Sequence, residues 1–423
     1  MNTFFQKLKL IFSDKSLRRR LLFVIGALIV FRLMAAIPIP GIDTLRLTQF
    51  LSSNQFFGVL NIFSGGGLSN LSIIMLGVGP YITASIIMQL LTVMIPRLKQ
   101  LYSEEGEQGR KKFAQYSRII TVPLAVVQAL GLLLLLERQG ILLSNGVFGH
   151  ALNIIVAVTG SLLLMWIGEL ITEFGIGNGV SLLIFAGIVS ALPGHINQAL
   201  FTYDPSQIPL YILFAVVGLL VIFGVVFIGE AERAIPVTHA KQVRGMRVMG
   251  SGGSYIPMRI NQAGVIPIIF ALSILLFPQL IGNLLANFHG AFALKVSAVL
   301  LSFKQTSILY AVLYFVFVFV FTYFYTAVTF DPNAMSKNLQ KSGAFIPGIR
   351  PGEATEAYLS KIATRVTFLG ALFLGFIAIM PLVMQHITGI TSLALGGTAL
   401  LIVVSVVLDL IKKVDAQISM REY

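Results

Sequence analysis

Ten apolar stretches of similar length, strung along one chain with polar gaps between them, leave this sequence very few folds to choose from. They occupy residues 21–39, 73–95, 119–136, 151–171, 180–192, 209–228, 263–285, 309–330, 366–384 and 393–410. About 20 predominantly apolar residues in α-helix cross about 30 Å of hydrocarbon, and a helix satisfies its own backbone hydrogen bonds where water cannot. The expectation is an all-α polytopic membrane protein with ten transmembrane helices. A water-facing fold is excluded by the charges: they make up 11% of 423 residues, against about 25% in soluble domains. The first stretch is long, contains Arg32 and has no small-residue cleavage site before Pro38-Ile39-Pro40. It is expected to persist as a span and not to be cut away as a signal peptide. The fifth is the shortest and follows the run Gly175-Ile176-Gly177-Asn178-Gly179, which reads as a tight turn between two spans.

The charges that remain are unevenly placed. Lys and Arg total 30 against 17 acids, a net charge of +13. The two chain ends and the loops that lie on their side of the membrane hold 25 of the 30; the opposite loops hold Arg46, Arg138, Lys295 and Lys304. Lys and Arg accumulate on the cytoplasmic side of membrane proteins, so both termini are expected in the cytoplasm. An even number of spans follows without reference to hydropathy. Fourteen acids share that face, which is therefore basic but mixed in sign, as a docking surface would be.

The spans lack the groups that other functions need. Coupled transporters keep ionisable residues near the midplane, where a charge costs about 2.5–3.5 kcal/mol on insertion scales. Here Arg32 lies in the outer part of its span, and Glu169 and Asp409 lie near cytoplasmic ends, positions that suit snorkelling or a structural partner. No metal site or cofactor is expected, because cysteine is absent and the five histidines fall in loops or at span ends with no His-Glu-x-x-His pair. Nucleophile-elbow and phosphate-loop patterns are missing too. The chain is not expected to be an enzyme, and energy for transport must come from a partner or a gradient.

Two features remain. The gaps at about 229–262 and 331–365 are long for a compact membrane protein, and long ordered loops are usually functional. In the first, Gly250-Ser251-Gly252-Gly253 reads as a hairpin turn. In the second, Arg350 sits between two Pro-Gly steps beside apolar Phe345 and Ile346, a stiffened turn that points to a docked partner. Ahead of the second span, Gly65-Gly66-Gly67, a half-length apolar piece and Gly77-Val78-Gly79-Pro80 read as a re-entrant segment followed by a full span. Non-helical backbone at membrane depth survives only where it lines a cavity or is buried in protein.

The residues at 19–32, 37–43, 80–91, 175–179, 263–267 and 341–353 carry a resemblance in family order along essentially the whole chain. The chain resembles the SecY/Sec61α protein-conducting channels, and their bacterial branch in particular. The resemblance implies two pseudo-symmetric inverted halves of five spans, 21–192 and 209–410, joined by an external hinge loop at 193–208. Residues 1–20 and 411–423 would be a cytoplasmic N-terminus and tail. The halves would open sideways between the second and seventh spans. The implied pore ring is Val78, Ile82, Val180, Ile184, Ile269 and Ile402, with Val at two positions where the family has Ile. The implied plug is Ser64, Gly65, Gly66, Gly67, Leu68, Ser69, Asn70, Leu71 and Ser72. Arg244, Arg247, Arg350, Pro351 and Gly352 correspond to docking positions for the motor ATPase SecA or a ribosome, although Met246 replaces a basic neighbour of Arg247. Further implied partners are SecE and SecG, signal peptides, unfolded polypeptides and membrane lipids, with no direct sequence-specific nucleic-acid binding.

That resemblance implies a channel in the bacterial cytoplasmic membrane that passes presecretory chains across it and releases membrane segments laterally. Aliphatic side chains suit the task, since they grip no particular sequence and an empty apolar ring disfavours water and ions. A secondary transporter for a small solute is the alternative, motivated by the short glycine-flanked fifth span and the inverted halves. The charge-free midplane counts against it.

Overall fold

The computed structural model describes residues 14–40, 46–47, 61, 64–103, 105–142, 146–201, 208–239, 242–244, 247–249, 254–285, 291–302, 307–388 and 391–419. Helices α1 (Lys15–Ala35), α2 (Gly79–Met94), α3 (Pro96–Ser103), α4 (Gly106–Arg138), α5 (Gly146–Phe174), α6 (Gly179–Phe201) and α7 (Ile208–Glu230) come first. Strands β1 (Glu232–His239), β2 (Gln242–Arg244), β3 (Arg247–Met249) and β4 (Ser254–Arg259) follow. Then come α8 (Ile266–Leu285), α9 (Ala291–Leu301), α10 (Ile308–Thr329), α11 (Pro332–Lys341), β5 (Ala344–Phe345), α12 (Glu353–Thr388) and α13 (Thr391–Ser419).

Each apolar stretch falls on a helix whose ends follow from local chemistry. Asp14 caps α1 by accepting from the Ser16 N–H at 2.8 Å, and Asp331 caps α11 through the Asn333 and Ala334 N–H groups. Pro80 sits in the first turn of α2, where its missing N–H would be unpaired anyway. Among the described residues, α4, α5, α10 and α12 carry single apolar runs long enough to cross a membrane; α2 and α3 pass the same test only when taken together, and they meet at a bend of 115°. Shorter apolar helical runs lie at Gly179–Gly194, Ala215–Glu230 and Ile266–Leu275.

Two boundaries differ from the sequence reading. The second stretch becomes helical only at Gly79, residues 73–78 being turns; the Gly77-Val78-Gly79-Pro80 punctuation starts a helix and does not kink one. The fifth stretch does not stop at Pro193, because α6 runs through it for 23 residues. Residues 202–207, part of the 193–208 segment read as a hinge loop, lie outside the described residues, as do the 250–253 run, Met246 and residues 420–423.

The bundle sorts its side chains for lipid outside and protein inside. On α7, Leu219, Phe223 and Phe227 stand exposed at helical spacing, a stripe that water would not tolerate but acyl chains do. Three buried threonine hydroxyls are satisfied within their own helices: Thr121 on the Ser117 carbonyl, Thr322 on Val318 and Thr326 on Thr322, at 2.7–2.8 Å.

The two long loops form one unit. β1 pairs antiparallel with β4, Glu232 opposite Arg259 and Val237 opposite Ser254. It also pairs with β5, Thr238 opposite Phe345 and His239 opposite Ala344. β2 and β3 form a separate hairpin with Arg244 opposite Arg247. The three-stranded sheet β4-β1-β5 packs on α12 through Ile235, Val237, Met258, Ile346, Leu359 and Ile362. Met258→Ala should cost about 2–5 kcal/mol there, read as faster limited proteolysis of these loops while the spans stay protected.

Candidate functional site

The segment 64–72 is not helical. It is a chain of turns stitched to its surroundings by backbone and small side chains. The Ser64 hydroxyl donates to the Asn61 carbonyl and accepts from the Leu68 N–H, both at 3.0 Å, and the Ser69 N–H donates to Asn61 Oδ1. Toward α1, the Arg32 guanidinium donates to the Gly65 carbonyl at 3.1 Å. Beyond it the Ile39 N–H donates to Leu71 and the Ile73 N–H to Ile37, at 2.9 and 3.0 Å. Arg32 is therefore a structural partner in its span, and its partner is the glycine run.

Glycine is needed at this seat for closeness as well as for torsion. Gly65 and Gly66 adopt φ of 65° and 85°, and a Cβ on Gly65 would run into the Phe31 ring. A Cβ on Gly187 of α6 would overlap the Gly65 Cα, and one on Gly160 of α5 would overlap the Ile73 carbonyl. Next to that contact Ser161 donates to the Gly77 carbonyl at 2.9 Å. Leu68, Leu71, Ile74 and Met75 are at most 1% exposed. Two features weaken the seat: Leu71 is held at φ 41°, a costly conformation outside glycine, and the buried Ser72 hydroxyl has no partner among the described residues.

The six aliphatic residues read as a ring come from α2, α6, α8, α13 and the turn before α2. Val78 precedes α2 and its carbonyl accepts from the Ile82 N–H at 3.0 Å. Val78, Ile82, Ile184, Ile269 and Ile402 are all under 9% exposed. They belong to one apolar cluster with Leu68 and Leu71, and Val180 packs against it half-buried. Among the described residues no Asp, Glu, Lys or Arg is buried.

A cavity of about 320 Å³ lies at the sheet end of the bundle, between the first turn of α6, the start of α8 and the end of α13. Its polar lining includes Asn178, Arg259, Asn261, Asp409, Lys412 and Lys413. Two of its charges are tied down: Lys412 donates to the Glu230 carboxylate and the Gly229 carbonyl, each at 2.9 Å, and Lys413 meets Asp409 at 2.7 Å. Asn178 accepts from the Val180 and Ser181 N–H groups at 3.1 and 3.2 Å, so the glycine run before α6 ends in a capped helix, as a tight turn should. Its apolar lining includes Leu182, Val225 and Val265.

At the same end Arg350 projects outward on a fixed backbone. The Thr355 hydroxyl donates to the Arg350 carbonyl at 2.9 Å, the Ser336 hydroxyl to the Gly352 carbonyl at 2.7 Å, and Asn333 to Glu356 at 2.7 Å. Gly348 and Gly352 take φ of 81° and 103°, which the turn requires. Arg350 and Pro351 are exposed and Gly352 half-buried. Ile346 is not an exposed docking residue: it is 2% exposed, under its own sheet. Phe345, 38% exposed, alone keeps the apolar character read there. Arg244 and Arg247 face each other across the β2–β3 hairpin, and their side chains lie outside what the structure describes. Farther out, a hydrogen bond from Lys111 at 2.9 Å holds the exposed Glu107 carboxyl below its usual range.

Sequence reasoning missed Gly160, Gly187, Ser161, Ser336 and Thr355. An isolated glycine inside an apolar helix signals close approach, which marks Gly160 and Gly187 without naming what approaches them.

The comparisons with known proteins bear on the family and the fold. The SecY family model matches residues 72–411. The protein translocase subunit SecY of Escherichia coli strain K12 is 43% identical over 415 residues, covering 96% of this chain and 93% of its own. That of Halalkalibacterium halodurans is 39% identical over 430 residues and 99% of both chains. A solved protein-conducting channel superposes with a TM-score of 0.65 at 21% identity over 96% of this chain and 93% of its own. Sec61 in a canine ribosome-channel complex gives 0.61 at 20%, over the same shares. The family match and the full-length relatives place this chain in the SecY family.

Proposed function

We propose that this chain is the channel subunit of a protein translocase, passing unfolded polypeptides across a membrane and releasing apolar segments sideways into it. The observation that carries the reading is the full-length SecY relationship, joined to a bundle in which no Asp, Glu, Lys or Arg is buried among the described residues. The ring of Val78, Ile82, Val180, Ile184, Ile269 and Ile402 is the constriction, and residues 64–72 are its plug. The polar cavity beside Asn178 and Arg259 is the mouth through which a chain enters. Supporting this is the shared cluster of ring and plug residues, with apolar contact and no specific polar grip, as an arbitrary substrate demands.

The finer reading is that the membrane is a bacterial cytoplasmic one, with both termini and the sheet on its cytoplasmic side, following the distribution of Lys and Arg. SecE and SecG complete the complex, and SecA or a translating ribosome docks on the Arg350 turn and the β2–β3 hairpin. The ribosome is drawn from Sec61 and yeast Ssh1, solved on ribosomes with the same fold.

A translocating chain stalled with a photo-crosslinker in mid-sequence tests the ring. It should label Ile82, Ile184 and Ile402 and leave lipid-facing Leu219 unlabelled. Labelling of Leu219 without the three isoleucines would put the path elsewhere.

A further inference from the structure

The connection between α8 and α10 holds a helix that the channel reading does not use. α9 is 11 residues long and packs on α8 at the end of the bundle opposite the sheet, since α8 leaves the sheet at β4. The Ser297 hydroxyl, 3% exposed, donates to the Gly282 carbonyl at 2.9 Å. That carbonyl belongs to the last turn of α8, where the helix supplies no N–H of its own. Gly282 is three residues before the end of α8 and Ser297 six residues into α9, so α9 returns antiparallel alongside the span that precedes it. At 1.5 Å per residue, a helix of this length reaches back about 15 Å, half the hydrocarbon thickness.

Its free face is apolar. Phe292 is 82% exposed and Val299 70%, seven residues apart on one side of the helix, with Leu294 at 49% on its flank and Ile281 of α8 at 44%. Ser297 faces inward and is already bonded. The only charge, Lys295, lies between Phe292 and Val299 on the helix surface. Side chains on a helix tilt toward its N-terminus, which for α9 is the membrane surface, so Lys295 can keep its ammonium at the headgroups while its stem lies along Phe292.

The geometry points to α9 as a re-entrant helix seated in the leaflet opposite the sheet, its Phe292–Val299 face covered by lipid acyl chains. A protein partner fits less well, because nothing on this face offers a hydrogen bond apart from Lys295. The inference stands apart from the ring and plug assignments and needs only that the chain spans a membrane.

The chain has no cysteine, so single-cysteine variants report cleanly. Phe292→Cys and Val299→Cys, each labelled with an environment-sensitive dye, are reconstituted in phosphatidylcholine vesicles carrying a nitroxide at acyl carbon 5 or 12. Val299→Cys should be quenched about twofold more by the deep nitroxide than by the shallow one, and Phe292→Cys the reverse. Unlabelled Val299→Cys should react with a membrane-impermeant maleimide about tenfold or more slowly than in denaturing detergent. Reaction at the denatured rate without quenching means that α9 stands in water, and slow reaction without quenching means that protein covers it; either result overturns the inference. Leu294→Cys takes the place of a variant that fails to assemble.

Discussion

Gly187→Val should make the resting channel leak. Gly187 lies within α6, and a Cβ there would overlap the Gly65 Cα, so an added isopropyl group cannot be accommodated while the 64–72 segment keeps its place. Overpacking of this kind costs about 1–3 kcal/mol. Because the overlap exists only when the segment is seated, the cost falls on that state. A bias of 1–3 kcal/mol changes a two-state ratio by about 5- to 150-fold, and resting ion conductance in planar bilayers should rise in proportion. The helix itself does not suffer, since valine is a better helix former than glycine. Gly218→Val is the control, because nothing lies within 4 Å of a Cβ at Gly218, and it should leave conductance at the background level. Unchanged conductance in Gly187→Val would mean that residues 64–72 do not close the path.

Much of the fold was legible because membrane insertion leaves a strong linear signal. An apolar run of span length has one economical structure, and every such run became helix. What failed was decided by contacts between residues far apart in sequence. Pro193 looked like an end because proline disfavours helix in the residue before it, yet the apolar pattern carried α6 to Phe201. Ile346 looked exposed because nothing local covers it; β1, more than a hundred residues earlier, does so by pairing with Ala344 and Phe345.

The site shows the same division. Gly65-Gly66-Gly67 announced an unusual backbone, and the structure places that backbone against Phe31, Arg32 and Gly187. Gly187 is marked in the sequence as a point of close approach but not matched to its neighbour, because that neighbour is another glycine's backbone. Ring residues are harder still: Val and Ile on membrane helices look alike whether they face lipid, core or pore, and only the family relationship singled out these six. The stiff turn around Arg350 was legible from its Pro-Gly steps, whereas Thr355 and Ser336, which hold that turn, carry no local mark.

Arg350→Glu should abolish motor-driven export while the protein remains folded. The Arg350 backbone is fixed by hydrogen bonds in which its side chain plays no part: Thr355 holds the Arg350 carbonyl and Ser336 the Gly352 carbonyl. The side chain is exposed, and exposed substitutions away from such contacts usually change stability by no more than about 0.5 kcal/mol. Thermal unfolding and membrane insertion should therefore match the parent. A docked motor would cover the guanidinium, and removing one partner of a buried, hydrogen-bonded charge pair costs about 2–5 kcal/mol. Reversal adds repulsion, so affinity for the motor should fall on the order of 30-fold or more. ATP-driven translocation into proteoliposomes, and motor binding measured in parallel, should both be lost. Reduced export with undiminished motor binding would move Arg350 from docking to a step after it. Normal export would remove it from the motor's seat altogether, leaving the rigid turn to serve some other contact.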